Sequence, residues 1–500
     1  MKKHNLFKIV GITILVTVLL TWILPTTYYQ YSLVSDGTRS QVGLFDLFNY
    51  PAVALSYFGN IVLYILAIGG FYGVLHKIGA YRTLLDKIAK KMKGKETIAL
   101  AVIMAVLAIL TSVCGASLGL LIIVPFIVSL VLIMGYDKVT AALTTVGAIS
   151  VGLIGTTVSS TYVQTGYNSV VQNGMGVVNT ILNTKATDQI VVKIILLVLG
   201  LALLIFNTLR YAKKTKLSKE DSVKELIPVE TKTGKTKTWP IVLFMDLMFV
   251  IAMLSLVSWS SVFKLNWFTK ATEAVLGLKI FKFQIFGKLL GTVGAFEEWG
   301  VVQIGVLLVL VSFILSKIYK VKFNDYIDGI VRGAKKALKP AVLVALIYVV
   351  LIIVSYHPII LTITKPLIKV GNGLNVFTMS LAALISSIFN VDLYYAASGV
   401  LPYAITLLTD SSVYSIIAVI WQAIYGLTTL FAPTSIILIA ILSYLDIPYG
   451  KWLKSNWKLI LELLALCLIL FTCYFKLITT IHHYRTNILH WFFNGGVYWI

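Results

Sequence analysis

Acidic residues are scarce in this chain: 20 Asp and Glu stand against 42 Lys and Arg in 500 residues, and charged residues of both signs make up only 12%. With 58% hydrophobic residues and a mean hydropathy of +0.91, there is too little polar surface to enclose the apolar residues as a soluble globule, and the chain belongs in a bilayer. Cysteine is nearly absent as well. Cys114, Cys467 and Cys473 show no CxxC or Cys/His metal spacing; Cys467 and Cys473 read as packing residues, and the cysteines say little about redox compartment. Catalytic signatures are missing: there is no HExxH, no GxSxG, no Walker A motif and no pair of acids in a polar setting, since Glu297 and Glu298 fall in a loop expected outside. His76 and His357 each stand alone, so no metal ligands are expected of them. An enzyme is not expected, and without ATP machinery any transport must run on gradients or exchange.

What the chain has in abundance is apolar runs of roughly 17 to 25 residues, the length a helix needs to cross about 30 Å of hydrocarbon. The first, 9–24, follows MKKHNLFK, lacks an A-x-A cleavage site and is succeeded by further spans, so it reads as an uncleaved helix. Lysine and arginine crowd 76–96, 210–237 and 317–339, whereas 30–50 carries only Arg39. Retention of positive loops in the cytoplasm places these segments and the N-terminus inside a multi-pass protein of the cell membrane. The net charge of +22 is accounted for by these loops. No nucleic-acid partner is expected, because the Lys-rich stretch 213–237 has no interleaved aromatics; its natural neighbours are water and anionic lipid.

Spans are predicted near 8–24, 51–75, 139–165, 189–209, 240–258, 300–318, 340–357, 412–446 and 455–476. Two further apolar pairs, 97–134 and 376–408, each hold two short arms joined by a small or polar turn: SVCGAS at 112–117 and FNVDLYYAASG at 389–399. Read as re-entrant hairpins, the first enters from the cytoplasm and the second from outside. The fold expectation is therefore an all-α polytopic membrane protein, an inverted repeat with two re-entrant hairpins and two interrupted helices. Its parts are a first repeat at 1–210, a basic linker at 211–239, a linking helix at 240–258, a second repeat at 300–476 and a tail at 477–500. If all four hairpin arms cross instead, the count rises to about 13, and hydropathy alone does not choose.

The interruptions are GLIGTTVSSTYVQTGYN at 152–168 and LTTLFAPTSIILIAIL at 427–442. Gly155 lowers the cost of leaving helical geometry, and Pro433 removes a donor and clashes with the preceding turn. Open backbone at membrane depth is tolerated only where protein or a water-filled cavity satisfies it, so each break implies such a place. Free amides at helix N-termini suit a carboxylate, which makes Gly115, Ser117, Thr156, Thr157, Ser159, Ser160, Thr434 and Ser435 the natural lining for an anionic group. Intramembrane Asp is costly without a partner, so Asp392, with Asn390 and Ser398 nearby, is read as a ligand for a coupling cation or a substrate ammonium; the other reading is an acid that caps the second arm. Asp410 reads as an N-cap before Ser411 and Ser412, and Asp246 lies on the linking helix.

TWILPTTYY at 21–29, GLFDLFNYP at 43–51, LYILAIGGFYGVLHKIGA at 63–80, MGYDKVTAALTTVGAISVGLIGTTVSS at 134–160, DYIDGIVRGAKKAL at 325–338 and APTSIILIAILSYLDIPYGKWLK at 432–454 resemble the YfcC-like, four-carbon-dicarboxylate anaerobic carrier family of the ion transporter superfamily. The likeness extends to about residue 476. It implies paired inverted repeats, hairpin tips near mid-membrane and, in many members, a homodimer with elevator-like motion. Members carry dicarboxylates, basic amino acids in exchange, or other small carboxylates. By position, the tips and breaks fall at 115–119, 155–160, 390–399 and 433–435.

Two departures stand out. Where the family commonly has a Glu pair after the first turn, this chain reads GASLGLLIIVP; where it has a Pro-Ser-Gly-rich second tip, this chain reads NVDLYYAASG. Either the acidic group has moved between hairpins or the substrate differs. HHYRTNILHWFFNGGVYWI, at the end of the chain, does not match, and its aromatics suit a membrane interface. The expectation is a secondary active transporter of a small carboxylate, an amino acid favoured because of Asp392, with a dicarboxylate as the alternative. Na+ or H+ is the only cofactor-like species it needs. A passive channel is the rival class, disfavoured because polar residues cluster at four places and form no continuous stripe.

Overall fold

The computed structural model describes residues 5–494 except 31–32, 38–39, 116, 158–173, 216–236, 256–258, 260–263, 281–282, 285–286, 289–293, 295–298 and 371–372. Ser159, Ser160, Glu297 and Glu298 fall outside the described residues. The helices are α1 Asn5–Ile23, α2 Leu44–Lys77, α3 Gly79–Lys91, α4 Glu96–Cys114, α5 Val124–Ile133, α6 Lys138–Ile154, α7 Gly174–Ile181, α8 Ile190–Thr215, α9 Trp239–Ser255 and α10 Trp267–Gly277. They continue with α11 Val301–Ile318, α12 Phe323–Tyr356, α13 Ile360–Ile368, α14 Val376–Asn390, α15 Leu393–Ser398, α16 Leu401–Leu407, α17 Tyr414–Thr428, α18 Ile436–Tyr444 and α19 Tyr449–Asn494. Two antiparallel ribbons are added, β1 Thr27–Gln30 with β2 Leu33–Asp36 and β3 Lys279–Ile280 with β4 Phe283–Gln284.

The protein is an all-α polytopic membrane protein. Among the described residues eight helices are long and apolar enough to cross a bilayer, with mean hydropathies between 1.3 and 2.8. In α1, Val10, Ile14, Thr17 and Thr21 are buried while Ile12, Leu15, Leu19 and Ile23 are exposed, so the outward face is as apolar as the inward one. Such a helix needs lipid on one side and protein on the other.

One expectation needs correction, and two helices run further than the spans placed on them. The helix that carries the span placed at 340–357 begins at Phe323, so the basic stretch before it is helical: Tyr326, Gly329, Gly333 and Ala337 are buried at helical spacing while Lys335 and Lys336 are exposed. Cys473 is exposed on α19, unlike the buried Cys467, so it does not pack internally. The last helix continues past 476 and runs to Asn494.

Packing divides the helices into two layers. In one, α2 lies along α12, with α1 against α12 and α11 against α2. The α2/α12 crossing is close because its residues are small: a Cβ at Gly73 would stand 2.1 Å from the Gly329 carbonyl oxygen, and one at Gly333 would stand 2.0 Å from that of Gly69. Near-contact of backbones maximises dispersion where lipid gives no hydrophobic drive to association. In the other layer α4 packs on α6 as α14 packs on α17, and α6 on α8 as α17 on α19. Corresponding helices of the two halves run antiparallel where they meet. Gly69 faces Gly333 while Gly73 faces Gly329, Gln422 reaches Thr156 while Thr429 reaches Ser150, and Tyr474 reaches Asp188 while Asn207 reaches Glu462. At the end of α12 His357 is held by the Tyr50 hydroxyl at 2.7 Å and Ser40 Oγ at 2.9 Å, a satisfied structural histidine.

Candidate functional site

The first turn begins where α4 ends. Gly115 adopts φ +62°, ψ 3°, and its N–H donates to Thr111 O at 2.8 Å, an αL helix stop that glycine takes without Cβ strain. Leu118–Ile123 then leaves α-helical geometry, and α2 satisfies part of the freed backbone: Tyr64 Oη donates to Gly119 O at 3.2 Å and Tyr72 Oη to Ile122 O at 2.6 Å.

In the second turn the chain reverses through a γ-turn at Val391, φ +64°, ψ −41°, with Asp392 N donating to Asn390 O at 2.5 Å. A β-branched residue at positive φ is strained, and such strain persists only where the surroundings enforce it. Asp392 caps α15, its Oδ1 accepting from Tyr394 N at 2.7 Å. Asn390 turns back, its Nδ2 donating to Ser386 O and Oγ at 3.0 Å each, and Ser386 Oγ donates to Ala396 O at 2.9 Å, which locks the two arms together.

Each break is fastened to the turn of its own half. Thr157 N donates to Ser112 O at 2.9 Å, and Ser112 Oγ donates to Gly155 O at 2.6 Å. In the second half Thr434 Oγ1 donates to Ile388 O at 2.5 Å, and Ser435, the N-cap of α18, donates to Thr429 O at 2.8 Å and accepts from Leu438 N. Side chains of α17 join the halves at this level. Gln422 Nε2, buried on α17, donates toward Leu153 O, Ile154 O and Thr156 O at 3.3, 3.3 and 3.1 Å, the carbonyls left open where α6 stops. Thr429 Oγ1 adds a bond to Ser150 Oγ at 2.8 Å.

These pieces enclose a pocket of about 40 Å³. Gly115, Ser117, Thr156, Asp392 and Ser435, all expected from sequence, line it together. Thr157, Asn390 and Thr434 spend their polar groups on the framework, and Ser398 is outside the lining, at the far end of α15. Gln422, Tyr425 and Thr429 line the pocket and were not anticipated. A lone amide inside YSIIAVIWQAIYGLT was the available signal for Gln422. Its Oε1 is buried without a hydrogen-bond partner. The space admits water or a small cation, and the Asp392 carboxylate and Gln422 Oε1 are among the oxygens of its lining residues. No cluster of three His, Cys, Asp or Glu occurs among the described residues.

Comparison with known proteins adds a family. The model described as DcuC, C4-dicarboxylate anaerobic carrier, matches residues 4–476. No curated protein matches the chain. Among solved structures, the YdaH transporter of Alcanivorax borkumensis is similar over 95% of this chain and 98% of its own, with a TM-score of 0.43 and 13% identity.

Proposed function

The chain belongs to the C4-dicarboxylate anaerobic carrier family, and from that premise we propose that this transporter is a secondary active carrier of a small dicarboxylate, working by symport or exchange. The observation that supports a carrier is the meeting of both turns and both helix breaks, from halves whose matching helices run antiparallel, around one pocket. Inverted repeats with discontinuous helices place substrate between helix termini, where alternating access moves one layer against the other. The N-terminus of α18, entered through Ser435, offers backbone donors and a positive dipole end to a carboxylate.

The amino-acid substrate expected from Asp392 finds no support in the matching family model, which is described as a C4-dicarboxylate carrier. Its premise is also weakened, because the carboxylate of Asp392 is engaged in capping α15. The role that remains is a proton or small coupling cation shared with Gln422 Oε1, bound when a dicarboxylate seats beside it. A proton or cation held by Asp392 and Gln422 then offsets part of the negative charge of a dianion carried beside it.

Counterflow in proteoliposomes tests this. Saturable exchange of labelled succinate, competed by other four-carbon dicarboxylates and insensitive to lysine or arginine, is the expected result. Non-saturating flux would make the protein a channel, and exchange confined to amino acids would remove the substrate class.

A further inference from the structure

A second and larger cavity, about 280 Å³, opens where the two layers meet beyond the tip pocket. The α2/α12 pair forms one wall, with Lys77, Arg332 and Lys336, and α5 with α18 forms the other. No acidic side chain lines it. Arg332 and Lys336 are exposed, and Lys336 Nζ lies 5.2 Å from the Tyr444 ring centroid. The ion pair Lys339 Nζ to Asp446 Oδ1, 2.6 Å, joins the two layers on the same side of the molecule.

Both walls lead inward. Ile437 lines the tip pocket and Ile441, one helical turn later, lines the vestibule; Leu118 and Leu121 repeat this on the first hairpin. We propose that this vestibule is a second anion-binding station for a small dicarboxylate, on the side of the membrane where the basic loops lie, occupied before or after the tip site. The identity of the anion rests on the dicarboxylate reading above; the charge selectivity rests on the cavity itself. Lys77, Arg332 and Lys336 line this cleft and no acid does, an excess of positive charge that favours dianions over zwitterions, because field lines focus in a cleft of one sign. Arginine offers a carboxylate a planar two-point contact and lysine a mobile point charge. At about 280 Å³ the cavity is close to the roughly 300 Å³ lower end of small-ligand sites, whereas the tip pocket is far below it.

The test is protection of a thiol in the vestibule, which needs no transport. In the full chain carrying Ala440→Cys and Cys473→Ser, reconstituted in neutral phosphatidylcholine, succinate should slow maleimide labelling of residue 440 at least about threefold, and acetate at equal ionic strength should not. Arg332→Gln with Lys336→Gln should abolish protection, and Arg332→Lys with Lys336→Arg should keep it. A side-resolved exchange assay should show the double Gln variant raising half-saturation about tenfold from the basic-loop face and leaving the other face unchanged; a general folding defect would move both. Absent protection by succinate, equal protection in the double Gln variant, or protection produced only by adding anionic lipid would overturn the proposal. If the unmodified protein exchanges no dicarboxylate, the proposed function falls, and labelling alone still decides the vestibule.

Discussion

At the residue scale, Asp392 carries two roles that a single substitution separates. Asparagine caps a helix about as well as aspartate, so Asp392→Asn should leave the melting temperature in detergent unchanged while abolishing cation- or proton-coupled uptake. A fall in melting temperature with coupling intact would reverse the assignment. Gln422 is different, because its amide holds the carbonyls at the end of α6. Gln422→Leu should destabilise by about 1–3 kcal/mol for each buried carbonyl left unsatisfied, read by thermal unfolding. At Gly115 the limit is conformational: φ +62° in an L-residue costs roughly 1–2 kcal/mol, so Gly115→Ala should lower stability by that amount and slow exchange.

At the element scale, the α2/α12 crossing sets how near the basic face of α12 comes to α2. A methyl at position 73 would meet the Gly329 oxygen at 2.1 Å, whereas one at Gly59 on the same helix meets nothing within 4 Å. Gly73→Ala should therefore cost about 1–3 kcal/mol as overpacking, with Gly59→Ala as the silent control in the same unfolding assay. The hydroxyls of Tyr64 and Tyr72 tie this layer to the unwound arm of the first turn, so any sliding of one layer on the other must exchange these bonds. Part of α12 was misread from sequence for a physical reason. A basic run suggests a loop, yet it is helical: Tyr326, Gly329, Gly333 and Ala337 form a buried stripe, and Lys335 and Lys336 are exposed beside it. Charge dominated a count that periodicity would have resolved.

At the scale of the whole molecule, the distribution of lysine and arginine predicts which face is cytoplasmic. In intact cells a membrane-impermeant thiol reagent should label Gly373→Cys and leave Lys93→Cys unlabelled until the membrane is opened; the opposite pattern would invert the orientation. On that prediction the vestibule opens toward the cytoplasm, the side on which the Lys339–Asp446 pair joins the layers.

The sequence by itself determined the membrane class, both turns at SVCGAS and FNVDLYYAASG, and the breaks near Gly155 and Pro433. These follow from local chemistry: apolar run length, a glycine that tolerates positive φ, and a proline that cannot donate. What only the tertiary structure decided lies between distant segments. Gln422 serves a break in the other half, Asn390 and Thr434 are consumed by the framework while Asp392 reaches the pocket, and Lys77 shares a cavity with Arg332 and Lys336. Each depends on which helices pack together and at what height, and side-chain periodicity along a single helix carries no record of its partner.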